Sequence, residues 1–248
     1  MSVRRAEHAR DPTTQPVTPR RWRRILADVR APGANRLEAV GVTLVLGFLL
    51  GALALYVFSD VAEGVAGNES QGLDQAVLAW LQGFANPQLD SFAVVMSTFG
   101  TLGVTVLLVV VLVVLGLQRR WGAAGSLVLV TTGAQLLNNI LKELFHRTRP
   151  ASVGSTTLEA QQWSFPSGHA MVSAAFYLYI AYLCWQVLDG GLRRLVCGGL
   201  LVLVLLIGLS RLYLGVHYVT DVVAGYLAGF IWADSVIIAG YLLTRPRG

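Results

Sequence analysis

Three short segments hold the side chains with chemical potential. The first is Lys142-Glu-Leu-Phe-His-Arg-Thr-Arg149-Pro150. Lys142 and Arg149 are seven residues apart, about two helical turns, which predicts that both project from one helix face. Gln135, Asn138, Asn139 and His146 extend that stripe at three- and four-residue steps. A polar stripe on an apolar helix faces a bundle interior or a wet cavity. Pro150 disfavours helix at Arg149 and ends the element there. The second segment is Pro166-Ser167-Gly168-His169. Proline at a helix start, with Ser and Gly beside it, leaves unpaired N–H groups pointing outward. Such an end binds phosphate through those donors and the helix dipole, and Gly168 lets a ligand approach the backbone closely. The third segment is Ser210-Arg211, followed by His217 and Asp221. A four-residue step makes His217 and Asp221 neighbours on a helical face. There a carboxylate fixes the imidazole tautomer and stabilises its protonated form.

Taken singly, each segment also has a plainer reading. The cations serve equally as interfacial residues snorkelling to headgroups, the second segment as an ordinary helix cap, and the third as an interfacial His–Asp pair. The elements that carry them decide whether they meet. The chain has 248 residues, 54% of them hydrophobic and only 13% charged, with a mean hydropathy of +0.60. Soluble domains carry about 25% charged residues, so the composition disfavours a soluble enzyme, a disordered protein and a nucleic-acid-binding domain. The net charge of +5 needs no nucleic acid partner, because cytoplasmic loops of membrane proteins are rich in Lys and Arg. Apolar runs at about 39–58, 91–117, 122–141, 169–188, 195–211 and 218–243 each approach the roughly 20 residues that cross a bilayer as helix. Their uninterrupted character excludes alternating barrel strands. The expected fold is all-α: a polytopic membrane protein with six transmembrane helices in one bundle.

Charge orients the spans. With the N-terminus inside, fifteen of the 19 basic residues fall on inside segments, which places both termini in the cytoplasm. The other four, Lys142, Arg147, Arg149 and Arg211, fall outside. Residues 59–90 contain no Lys or Arg and form an outer loop. Within it Leu73, Val77, Leu78, Trp80, Leu81 and Phe84 recur at helical spacing and predict an amphipathic helix on the outer face, between spans one and two. Residues 1–37, with nine arginines, read as a disordered basic cytoplasmic tail with a short interfacial helix around Trp22–Val29. Residues 38–245 form the six-helix domain. Cys184 and Cys197 lie in apolar stretches and read as packing thiols. Lys142 is the only lysine, and the arginine bias points to a high-GC bacterial genome.

In this topology all three segments meet on the outer face. They bring together the cations Lys142, Arg149 and Arg211, the donors Ser167 and Gly168, and the titratable His169, His217 and Asp221. Three cations around a helix N-terminus suit a phosphate dianion, and two histidines suit nucleophilic displacement and leaving-group protonation.

These residues resemble the type-2 phosphatidic acid phosphatase superfamily. Its signature is Lys-x6-Arg-Pro, then Pro-Ser-Gly-His, then Ser-Arg-x5-His-x3-Asp, and every motif position is matched in order between residues 142 and 221. The resemblance implies that His217 attacks phosphorus and becomes a phosphohistidine, oriented by Asp221. It implies that His169 protonates the leaving oxygen and then activates water. Lys142, Arg149, Arg211, Ser167 and the Gly168 N–H would bind the phosphoryl oxygens. No metal and no cofactor is expected. The implied substrate is a membrane-embedded lipid phosphate such as undecaprenyl pyrophosphate, phosphatidic acid or phosphatidylglycerol phosphate, met at the extracytoplasmic face of a bacterial cell membrane. Soluble vanadium haloperoxidases share a similar site, but the long apolar spans argue against them. A transporter would explain the spans and arginines but not the His217–Asp221 spacing opposite Pro166-Ser167-Gly168-His169; a non-catalytic binder of anionic lipids within the family would be expected to have lost a histidine, and both His169 and His217 are present.

Other features read as structural. Asp234 lies too far along the sixth span to join the phosphate site and is placed near the inner interface. Gly47-x3-Gly51 and Gly225-x3-Gly229 are expected to pack helices within the bundle. Trp163 and Phe165 are expected at headgroup level.

Overall fold

The computed structural model describes residues 33–150 and 163–243. All regular structure among them is helical: α1 (Gly33–Ala66), α2 (Gln71–Gln82), α3 (Pro87–Thr98), α4 (Val104–Leu117), α5 (Trp121–Phe145), α6 (Gly168–Val187), α7 (Gly190–Tyr213) and α8 (Val219–Leu243). A π-turn, Phe99–Gly103, joins α3 to α4, so Pro87–Leu117 is one continuous span of 31 residues. Six stretches are long and apolar enough to cross a membrane: Leu44–Ala66, Pro87–Leu117, α5, α6, α7 and α8. The protein is an integral membrane protein. Most of the 1–37 tail, including Trp22–Val29, lies outside the described residues, while residues 33–37 are already helical. The chain divides into two compact units, Met1–Val45 and Leu46–Gly248, and the second holds the bundle.

The centre of that bundle is α6. Of its most apolar window 61% is buried, against 6% for the first span. Apolar and small residues surround α6 on all sides, the pattern of a buried helix. It packs against α5, α7, α8 and the π-turn, around Phe176, Ala175, Leu127, Val130 and Ile207, all fully buried. The outward faces carry exposed Phe48, Leu117 and Leu195, as lipid-facing surfaces do.

Small residues set the closest approach. A Cβ on Gly225 would lie 2.7 Å from the Ser167 carbonyl oxygen, and one on Gly229 would overlap the Met171 carbonyl oxygen. These glycines therefore bring the α8 backbone against the first turns of α6. Gly47 and Gly51 perform the same service for Asp234, whose carboxylate oxygens would each lie 3.2 Å from an added Cβ. Both glycine pairs work inside the bundle, as the sequence suggests.

The sequence anticipates α2 but not how it sits. Val77, Leu78 and Leu81 form its inner stripe, with Leu81 buried against Ala170, Leu212 and Val222. Leu73, Trp80 and Phe84 are more than half exposed, so this helix offers apolar surface on two sides. Phe165 does not face outward as an anchoring aromatic would. It is fully buried, with its ring against those of Phe145 and Phe58.

Gly229→Ala should destabilise the protein by about 1–3 kcal/mol, because its methyl meets backbone that cannot rotate aside. Gly199→Ala in α7, which would meet nothing within 4 Å, should be neutral. Thermal unfolding in detergent checks both.

Candidate active site

A cavity of about 830 Å³ opens among the π-turn, α4, α5 and α6. Lys142, Arg149, Gly168, His169 and His217 line it together, so the three segments do converge. Ser167, Asp221 and Arg211 stand behind this wall, the first two fully buried and Arg211 4% exposed.

The route to convergence differs from the helical one in two places. Helix α5 ends at Phe145, and His146 takes a left-handed conformation with φ 46°. Lys142 is therefore on the helix and Arg149 is not: Arg149 returns to the cavity through the extended segment after the cap. His146 leaves the polar stripe altogether. It is more than half exposed, 3.7 Å from Glu143, with its ring edge-on to Trp163. In the third segment, α8 begins only at Val219. His217 lies in the preceding turn, and its neighbourhood with Asp221 comes from that turn rather than from a shared helical face.

Asp221, in the first turn of α8, organises the turn. One oxygen, Oδ2, accepts the Tyr218 N–H at 2.9 Å and lies 3.4 Å from His217 Nδ1. On the opposite side of the ring, Arg149 stands 3.2 Å from His217 Nε2 and also donates to the Val216 carbonyl at 3.0 Å. A guanidinium can only donate. This pattern assigns the proton to Nδ1, facing Asp221, and the lone pair to Nε2, facing the cavity. Burial is the main influence on this imidazole and pushes its pKa down to about 4; Arg149 and Arg211 add to the lowering, and Asp221 opposes it. The ring is thus neutral at ordinary pH.

The N-terminal turn of α6 is built around Ser167, not Pro166. Ser167 is the N-cap of α6, and its Oγ accepts the Ala170 N–H at 3.5 Å. An accepting hydroxyl still keeps its own hydrogen to donate. The Ser167 N–H donates to the Asp221 backbone carbonyl at 2.9 Å, tying α6 to α8. Asn138 holds the preceding turn by donating to the Pro166 carbonyl at 3.1 Å. Its Oδ1 would be 2.9 Å from a Cβ on Gly168, so glycine is required there by protein packing as well as by access. The π-turn completes the wall. A Cβ on Gly100 would lie 2.8 Å from Ile207 and 3.1 Å from His169, and Tyr177 donates to the Phe99 carbonyl at 2.7 Å. Arg211 donates to Ser97 Oγ.

Two residues that the three motifs do not specify join the site. Arg147 donates to Asp221 Oδ1 at 2.6 Å and to Asp74 Oδ2 at 2.6 Å, and its guanidinium lies 4.4 Å over the Tyr218 ring. Burial works against its charge, but Asp221 and Asp74 outweigh burial and raise its pKa. Asp74 is fully buried, and it also accepts from the Thr220 N–H at 3.0 Å and the Thr220 hydroxyl at 2.7 Å. The signal for Asp74 was an acid on the stripe of Val77, Leu78 and Leu81. For Arg147 it was an outer basic residue left without a partner in the three motifs. For the π-turn it was the break in the apolar run at Ser97-Thr-Phe-Gly-Thr-Leu-Gly103, where glycines and hydroxyl residues replace large apolar ones. Among the described residues, no cluster of three or more His, Cys, Asp or Glu is placed to hold a metal ion.

Known proteins share this fold. The PAP2 superfamily profile matches residues 123–243. Phosphatidylglycerophosphatase B of Bacillus subtilis is 32% identical over 198 residues, covering 77% of this chain and 89% of that protein. The chain belongs to the PAP2 superfamily. The putative undecaprenyl-diphosphatase YbjG of Escherichia coli is 36% identical over 129 residues, which span 50% of this chain and 61% of that one. Among solved structures, the transmembrane PAP2-type phosphatidylglycerolphosphate phosphatase of Bacillus subtilis superposes with a TM-score of 0.71. It is 28% identical, and the match covers 79% of this chain and 98% of that one. The PAP2 resemblance of the three motifs therefore extends through the bundle that carries them.

Asn138→Leu preserves side-chain size but strands the Pro166 carbonyl in a buried place. It should cost about 1–3 kcal/mol, read as a lower melting temperature in detergent.

Proposed function

We propose that this protein is a lipid phosphatase that hydrolyses phosphate or pyrophosphate esters without a metal, through a phosphohistidine on His217. The observation that carries the reading is the state of that imidazole. It is neutral, held by Asp221 at Nδ1, with the Nε2 lone pair beside Arg149 at the cavity wall. A buried, neutral histidine braced by a carboxylate is a poised nucleophile.

In this mechanism Lys142, Arg149, Arg211, Ser167 and the Gly168 N–H gather the phosphoryl oxygens and stabilise the charge that builds on them. His217 Nε2 attacks phosphorus while the bond to the leaving oxygen breaks, and His169 gives that oxygen its proton. Asp221 balances the positive charge that develops on the ring. In the second step His169 takes a proton from water, the resulting hydroxide attacks phosphorus, and the N–P bond breaks. Inorganic phosphate leaves, and both histidines return to their starting states.

The substrate reading follows from the setting. A cavity walled by membrane-spanning helices suits a molecule whose tail stays in lipid while its headgroup reaches the cations. Undecaprenyl pyrophosphate, phosphatidic acid and phosphatidylglycerol phosphate all meet that description. The relatives' names, phosphatidylglycerophosphatase and undecaprenyl-diphosphatase, support the same class. The excess of basic residues on the tail and on the loops opposite the site supports cytoplasmic termini and an extracytoplasmic site in a bacterial cell membrane.

Phosphate release from these three lipids, assayed in detergent with EDTA present, tests the reading. Wild type should hydrolyse at least one, with inhibition by vanadate, and His217→Ala should lose about a thousandfold or more in kcat. The acidic limb of kcat/KM should fall through a pH of about 4, where His217 gains a proton and loses its lone pair. Full activity in His217→Ala would remove that residue from the nucleophile's role. No release from any lipid would favour a transporter or a non-catalytic lipid binder.

A further inference from the structure

Helix α2 carries an anomaly that the proposed chemistry does not use. Its one fully buried polar side chain is an aspartate, Asp74, in the first turn. An unpaired carboxylate in such a place would be expensive, and Asp74 is paired on both oxygens. Oδ1 accepts from the Thr220 N–H, and Oδ2 accepts from the Thr220 hydroxyl and from Arg147. Arg147 then spends its other terminal nitrogen on Asp221 Oδ1 and the Thr220 hydroxyl, at 2.6 and 2.7 Å. Asp221 consequently has one oxygen committed to Arg147 and the other to the His217 turn.

We propose that Asp74 and Arg147 are positioning residues for the reacting histidine: Asp74 anchors Arg147, and Arg147 fixes the Asp221 carboxylate against His217. The proposal rests on the reading of His217 as nucleophile. Geometry gives the first half of the role. A carboxylate fixed at one oxygen by a guanidinium cannot swing, so the other oxygen stays on Nδ1 and keeps the lone pair on Nε2.

Charge gives the second half. Arg147 alone would cancel Asp221 and leave the phosphorylated imidazole without a counter-charge. With Asp74 on its far side, the trio of two carboxylates and one guanidinium keeps a net charge of −1. Arg147 can then hold Asp221 without neutralising the field that His217 feels. The other charged or titratable groups around the ring are Arg149 from the segment after α5, Arg211 from α7, and Lys142 and His169 of the same cavity. Since Arg149, Arg211 and Lys142 are cations, the negative excess of the trio is what opposes them.

The two partners therefore act on His217 with opposite sign. Asp74→Asn removes a negative charge, which makes His217 harder to protonate. Arg147→Gln removes a positive charge, which makes it easier. The test is the pH profile of lipid-phosphate hydrolysis by purified full-length wild type, Asp74→Asn, Arg147→Gln, Arg147→Lys and His217→Ala. In Asp74→Asn, kcat should fall about tenfold with KM within about twofold of wild type. Its acidic limb should move down by about one pH unit, the effect of one charge at a distance of several ångströms. In Arg147→Gln the limb should move up, and Arg147→Lys should retain more activity than the Gln variant. Looser packing alone would not move the limbs in opposite directions. Limbs that move together, or an Asp74→Asn enzyme with wild-type kcat and an unmoved limb, would overturn the proposal. Asp74→Asn is isosteric and decides the matter alone if Arg147→Gln does not fold. A fully active His217→Ala overturns the nucleophile itself, whereas an inactive His217→Ala beside an unaltered Asp74→Asn overturns only the bridge.

Discussion

The constraint on which this structure depends is that charge placed inside an apolar bundle must be paired. Arg147 meets it twice, with Asp221 on one side and Asp74 on the other, each at 2.6 Å. Removing one member of such a buried set leaves the others uncompensated, so the three residues stand or fall together. Their partners lie on three separate pieces of chain: α2, the segment after α5, and α8. The ion pairs therefore join the helix between the first two spans to the turn that carries His217.

A second constraint is distance of approach. The site needs the start of α6 beside the start of α8, because the Ser167 N–H and the Asp221 carbonyl bond directly. Two helices come that close only where side chains are absent from the seam. Gly225 and Gly229 provide this on α8, with Ala170 and Ala174 opposite. Gly100 does the same between the π-turn and His169. The π-turn adds a residue to the helical turn, which shifts the register of α4 relative to α3, and its Phe99 carbonyl accepts from Tyr177. Packing that looks purely apolar thus sets the position of both histidines.

Much of this was legible in the residues themselves. The six apolar runs, the amphipathic helix near 71–82 and the convergence of Lys142, Arg149, His169 and His217 on one cavity all follow from hydropathy and motif spacing. Local geometry was less legible. Helical spacing counted Arg149 and His146 onto α5, but the left-handed His146 ends that helix and sends the two side chains apart. The His217–Asp221 step looked helical and is a turn, since Asp221 caps the Tyr218 N–H from inside α8. Fixed spacing says that two side chains can meet, but it does not distinguish a helix face from a turn of similar reach.

The sequence by itself determined the class of protein, its six spans and the set of polar residues that meet at the cavity. Hydrophobic length and residue type are local properties, and the three motifs carry their chemistry in a few neighbouring positions. Only the tertiary structure decided which charges neutralise which. Asp74 and Arg147 are 73 residues apart, and nothing in either neighbourhood names the other. Their pairing exists because α2 packs across the ends of α7 and α8, where a buried carboxylate and a partly buried guanidinium each find in the other the partner that water would otherwise supply.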